Sequence, residues 1–80
     1  LFAQTDEDVP YEEEILRNPY NLKSWIRYIE FKEEAAPHVR NILYERALKE
    51  LPGSYKLWAT YLRERVIQVR GMPLHDRAWD

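Results

Sequence analysis

Glu12, Glu13 and Glu14 form the densest cluster of ionisable side chains in this 80-residue chain. Carboxylates serve metal binding or acid–base chemistry when they converge on one point. Consecutive helix positions diverge by about 100°, so these three cannot converge. They read instead as surface charge at the positive end of a helix dipole. The rest of the reactive inventory is thin. The serines are Ser24 and Ser54, and the histidines are His38 and His75. Ser54 reads as a helix cap and Ser24 as a helix-surface residue. His38 follows Pro37 at a helix start, His75 lies in an unpatterned tail, and the pair lacks metal-ligand spacing. Gly53 and Gly71 are too few for a phosphate-cradling loop. No cysteine is present, so disulfides and thiolate metal sites are absent. The expectation is no catalytic, metal or cofactor site, no small-molecule ligand, and no enzyme.

The elements that position these residues follow from an internal repeat. Shifted by 33 positions, Tyr11 falls on Tyr44, Glu12 on Glu45, Pro19 on Pro52, Lys23 on Lys56, Trp25 on Trp58 and Tyr28 on Tyr61. Val9 meets Ile42, Ile15 meets Leu48, Ile29 meets Leu62, and Lys32 meets Arg65. Periods of this size mark stacked repeats. Four helices are expected, over about 10–17, 22–34, 37–50 and 54–70. Pro10 suits a first helical turn, Asn21 and Ser54 are good N-caps, and Asn18-Pro19 and Leu51-Pro52-Gly53 are stops. Leu22, Trp25, Ile26 and Ile29 make one helical stripe. The third helix carries two stripes, Val39, Leu43, Ala47 and Tyr44, Leu48, Leu51, so it needs neighbours on two sides. Trp58, Tyr61, Leu62, Val66 and Val69 are the expected buried face of the fourth helix, and Gly71 its end. Residues 1–9 read as an acidic lead and 71–80 as a loop or linker to a further repeat. The fold class is all-α, an α–α superhelix of antiparallel helix pairs.

WIRYIEFKEE and LYERALKELP resemble the two halves of a HAT (half-a-tetratricopeptide) repeat. That family has an A helix with Trp-x-x-Tyr and a B helix with aromatic-Glu-Arg-Ala, closed by proline. The matching residues are Trp25, Tyr28, Tyr44, Glu45, Arg46, Ala47 and Pro52, and a second A helix repeats Trp58 and Tyr61. The match covers residues 11–66. It implies that Trp25 and Tyr28 wedge between helices A and B, and that Glu45 and Arg46 reach neighbouring repeats. Lys32 and Arg65 stand where the family often has an acid, and Asn41 where it often has arginine, with Arg40 one earlier. The family's polar network is therefore not carried over. Tetratricopeptide repeats fit less well, because Ile29 and Leu62 occupy positions that need a small residue.

DVPYEEEILRNPYNLKSWIRYIEF and YERALKELPGSYKLW resemble, more narrowly, the first repeats of HAT-repeat pre-mRNA-splicing factors. This implies a nuclear, non-catalytic protein–protein interaction scaffold of the spliceosomal nineteen complex. The partners it implies are other spliceosomal proteins, among them nineteen-complex subunits and a second, crooked-neck-like HAT-repeat scaffold.

Charge bears on the partners. The net charge is −2, which gives no argument for nucleic acid. Residues 1–20 carry Asp6, Glu7, Asp8, Glu12, Glu13 and Glu14 against Arg17 alone, which suits docking on a basic surface. Val66 and Val69 add an apolar partner-binding face on the fourth helix. The alternative reading is an RNA-contacting module using Lys23, Arg27, Lys56, Arg63 and Arg70 on solvent faces. It is secondary, because Trp25 and Trp58 are expected in the core rather than available to stack on bases. No apolar run is long enough to span a membrane, and no membrane partner is expected. The chain starts at Leu1 and is expected to be a piece of a longer protein.

Overall fold

The computed structural model describes residues 5–71. A 3-10 turn at Asp6–Asp8 leads into α1 (Val9–Arg17), followed by α2 (Leu22–Phe31), α3 (Pro37–Glu50) and α4 (Tyr55–Arg70). Each boundary has a local cause. Pro10 lies in the first turn of α1, where its missing N–H costs nothing. Asn18 then turns extended, and its side-chain oxygen accepts from the Tyr20 N–H at 3.1 Å. Asn21 Oδ1 accepts from Lys23 N–H at 3.0 Å, capping α2. Ser54 Oγ accepts from Leu57 N–H at 3.2 Å, capping α4. Gly71 follows α4 with φ −81°, so that helix ends without the left-handed residue expected of a terminal glycine.

Short connections make consecutive helices antiparallel neighbours. The core is Ile15 from α1, Trp25, Tyr28 and Ile29 from α2, Leu43, Tyr44, Ala47 and Leu48 from α3, and Leu57 and Tyr61 from α4. Both apolar stripes of α3 enter it: α3 packs on α2 on one side and α4 on the other. The fold is the all-α stack of antiparallel pairs that the repeat implies.

Four details differ from the sequence reading. Helix α2 stops at Phe31 rather than near Glu34, and residues 32–34 form a turn. The cause is Arg40 of α3, whose Nη1 donates to the carbonyls of Ile29 (2.7 Å) and Lys32 (3.1 Å) and so satisfies the helix end. The acidic lead is structured at Asp6–Asp8, and Asp8 is fully buried. On α4 the buried residues are Leu57 and Tyr61, while Trp58, Leu62 and Val66 are exposed and Val69 is half-buried. That face lacks a covering helix among the described residues.

Ser24 is the fourth: it is buried, not on the helix surface, and its Oγ has no hydrogen-bond partner among the described residues. A buried unpaired hydroxyl is destabilising, and alanine is the better helix former. Ser24→Ala is therefore expected to stabilise the chain by about 1 kcal/mol. Urea denaturation checks it; a lowered midpoint would show that the hydroxyl is satisfied in solution.

Candidate functional site

The polar side chains singled out from the sequence converge on tyrosines between helices. Tyr28 of α2 points its hydroxyl at Asp8 of the 3-10 turn, with Oδ2 at 2.8 Å, and at Glu12 of α1, with Oε2 at 2.7 Å. One phenol has one proton, so it donates to one carboxylate at a time. Two carboxylates this close repel, and a cation stands on each. Lys32 Nζ is 2.9 Å from Asp8 Oδ1, which Thr5 Oγ1 also donates to at 2.9 Å. Arg46 of α3 forks onto Glu12, with Nη1 to Oε2 and Nη2 to Oε1 both at 2.8 Å. The same guanidinium lies 5.4 Å over the Trp25 ring. Forked charge-assisted bonds and a cation over an indole are both favourable. Three helices are thus tied through one cluster.

The second unit repeats this at a spacing of 33. Trp25 Nε1 donates to Pro19 O at 2.7 Å, and Trp58 Nε1 to Pro52 O at 2.9 Å. Tyr28 donates to Glu12, and Tyr61 donates to Glu45. Tyr11 stacks on Tyr28 with centroids 5.4 Å apart, and Tyr44 on Tyr61 at 5.2 Å. With its amide turned so that the oxygen faces Arg65, Asn41 accepts from Nη1 at 3.1 Å, where the first unit has Asp8 and Lys32. Among the described residues Glu45 has no counterpart of the Arg46 fork onto Glu12, and the outer contacts of Tyr11 and Tyr44 differ. Tyr11 stacks on Phe31 at 4.4 Å, whereas Tyr44 donates to Glu64. Arg40 forks onto the same Glu64, through Nε at 3.0 Å and Nη2 at 2.7 Å.

Of the acids expected to face a partner, Asp8 and Glu12 are committed inside the molecule, and Glu14 pairs with Arg27 at 2.7 Å. Asp6, Glu7 and Glu13 are exposed. The reading of Glu12 as plain surface charge is corrected: Glu12 of α1 and Asp8, which immediately precedes that helix, both meet the Tyr28 hydroxyl. Ala47 is buried, Pro52 and Trp58 are exposed, and Glu45 lies at the surface under Tyr61. Glu64 and Lys32 were not recognised as network members. The usable signal was the Glu12–Glu45 identity in register with Tyr28–Tyr61. Among the described residues no group of three or more His, Asp or Glu is arranged to hold a metal. Also among them, no helix is long and apolar enough to cross a membrane.

The electrostatics give a pH dependence. Burial alone would raise the Asp8 pKa, but Lys32 and the hydroxyls of Tyr28 and Thr5 outweigh it and hold the carboxyl below its usual value. Arg46 lowers Glu12 against burial, and Arg40 lowers Glu64 likewise. Burial first, then the adjacent carboxylates, push the Tyr28, Tyr44 and Tyr61 phenols up. For the three carboxylates the folded pKa lies below the unfolded one. Their stabilisation is complete above the ordinary carboxyl pKa of about 4 and is lost as pH falls through the folded values. For the tyrosines it is complete below about pH 10 and is lost as pH rises further. The urea midpoint is expected to be flat between those limits and to fall on both sides. An acid limb equally steep in a chain lacking Asp8, Glu12 and Glu64 would contradict this.

Stacked antiparallel helices, with tryptophan and tyrosine contacts recurring every 33 residues, define a HAT-type α-helical repeat module. The chain belongs to the family described as pre-mRNA-splicing factor Syf1/CNRKL1 N-terminal HAT repeat, whose model matches residues 7–79. It is 66% identical over 65 residues to "Pre-mRNA-splicing factor syf1 homolog" of Drosophila melanogaster, a match covering 81% of this chain and 7% of the relative. To "Pre-mRNA-splicing factor SYF1" of Homo sapiens it is 55% identical over 75 residues, covering 94% of this chain and 9% of the relative. To the protein of that name in Dictyostelium discoideum it is 45% identical over 74 residues, covering 92% and 9%. The chain therefore spans less than a tenth of the length of these relatives.

Proposed function

We propose that this chain is the first-repeat portion of a nuclear, non-catalytic scaffold that holds spliceosomal proteins together within the nineteen complex. The observation that carries this reading is the 33-residue recurrence of the Trp–Pro carbonyl and Tyr–Glu contacts. Polar groups that chemistry would need are engaged in joining one helix to the next. Such a stack presents surface rather than a reaction centre. The relatives' names supply the splicing context, and nineteen-complex subunits and a second HAT-repeat scaffold of crooked-neck type are the partners it suggests. Exposed Asp6, Glu7 and Glu13 are the acids placed to meet a basic partner, and Val66 with Val69 the apolar residues placed to meet an apolar one.

The test is immunoprecipitation of the full-length protein from nuclear extract, with and without ribonuclease. Spliceosomal proteins retained after RNA digestion support a protein scaffold. Loss of all of them on digestion, with a direct RNA affinity that falls steeply with salt, would favour an RNA-contacting module instead. Exposed Lys23, Lys56, Arg63 and Arg70 are the residues such a module would use.

A further inference from the structure

Helix α4 has a third face, besides the one on α3 and the open one bearing Trp58 and Leu62. Lys56, Thr60, Arg63, Ile67 and Arg70 recur at spacings of four, three, four and three, so they form one stripe along the helix. At about 100° per residue that stripe points away from both the Leu57–Tyr61 face and the Trp58–Leu62 face. Lys56, Arg63, Ile67 and Arg70 are exposed, Ile67 by 63%. Thr60 is half-buried, and its hydroxyl donates to its own helix at Lys56 O, at 2.9 Å. The three cations have no ion pair among the described residues. No acid stands three or four residues from any of them, so pairing along the helix does not account for them either. The one acid of α4, Glu64, is turned inward to Arg40 and Tyr44. The repeat provides an internal control. The Trp, Tyr and Pro residues that join helices recur at 33, whereas the first unit has Glu30 where α4 has Arg63, and Glu34 where it has Ile67. Packing of the repeat therefore demands neither the arginine nor the isoleucine.

We propose that this stripe docks an acidic amphipathic helix of another protein, with Asp or Glu at seven-residue intervals facing Lys56, Arg63 and Arg70 and an apolar side chain against Ile67. Spacing and charge select this occupant. The three cations lie seven residues apart, about 10.5 Å along the axis. Alternating steps of four and three are those along which two helices run side by side. The charge complements an acid: α4 holds Lys56, Arg63, Arg65 and Arg70 against Glu64 alone. RNA fits less well, since the stripe offers no aromatic ring on which a base could stack. Ile67, exposed between two of the cations, suits an apolar side chain and not a phosphate backbone. The inference rests on the scaffold reading and deepens it, by naming one face and the chemistry of what it holds.

Photocrosslinking in the full-length protein tests it. Benzoylphenylalanine replacing Ile67, in nuclear extract, is expected to capture a segment of another protein that carries acids at helical spacing. Arg63→Glu in the same protein is expected to lower the yield of that crosslink about tenfold. Salt at about 1 M, where screening acts within about 3 Å, is expected to lower it likewise. The variant keeps the fold, since the first unit itself carries Glu30 at this place. Changing the facing acid of the captured segment to lysine then restores the crosslink to Arg63→Glu, which a folding defect would not allow. A crosslink to RNA, to a second copy or to a segment without acids overturns the proposal, as does none at all. A yield that Arg63→Glu leaves unchanged also overturns it. Such a failure is distinct from failure of the scaffold reading, which turns on whether spliceosomal proteins stay bound to the unsubstituted full-length protein after ribonuclease.

Discussion

Trp25→Ala unfolds the domain or brings it to the edge of unfolding, with an expected loss of about 3–5 kcal/mol. The indole lies in the core between α2 and α3, its nitrogen bonded to Pro19 O and its face under Arg46. Truncation removes the packing, leaves the Pro19 carbonyl without its donor, and deprives Arg46 of its aromatic floor. A domain of this size has little margin, since typical total stability is about 5–15 kcal/mol. Trp58→Ala is the control. The same residue in the same repeat position is 42% exposed, so its loss is expected to cost about 1 kcal/mol. Thermal melts followed by circular dichroism compare the two. Equal effects would mean that α4 is covered in solution, and no effect at Trp25 would remove it from the core.

Asp8→Ala is the second large effect, about 2–4 kcal/mol. Asp8 is fully buried, and its carboxylate takes bonds from Thr5, Tyr28 and Lys32, whose side chain is itself mostly covered. Removing one partner of a buried pair leaves the other desolvated without its opposite charge, which is worse than removing both. Asp8→Asn separates charge from hydrogen bonding. It keeps acceptors for Thr5 and Tyr28 but faces Lys32 without a charge, so a loss between those of parent and alanine is expected. Because the folded pKa of Asp8 is depressed, both variants should also show a shallower acid limb than the parent. Parent-like stability of Asp8→Ala at pH 7 would mean that Lys32 reaches water at no cost.

These two positions also mark what the sequence made legible. Trp25 was found because aromatic residues at helical spacing, repeated with Pro and Tyr, have few explanations other than packing. The buried role of Asp8 was missed because its partner Lys32 stands 24 residues away, just past the end of α2, and an acid near a helix start already has a sufficient local role. Glu12 was missed for the same reason, with Arg46 34 residues off. Helix starts at Leu22 and Tyr55 were readable from Asn21 and Ser54, since a cap acts within three residues. The end of α2 was not readable, since the group that satisfies it belongs to α3. Trp58 shows the complementary limit. Its pattern matches Trp25, but burial depends on a neighbour, and periodicity records only which face a residue occupies.

Arg40 touches three successive helices at once: the last carbonyls of α2, its own α3, and Glu64 of α4. A side chain anchored in this way works as a strut. It fixes the angle at which one helix pair follows the last, because turning α4 about α3 would pull Glu64 off the planar fork while the other edge of the guanidinium stays held by α2. In a long array that angle is the step of the superhelix, and errors in it add from one step to the next. The separation and orientation of surfaces many repeats apart then depend on the stiffness of joints like this one. A weak strut near the first repeats would displace everything downstream without unfolding any of it.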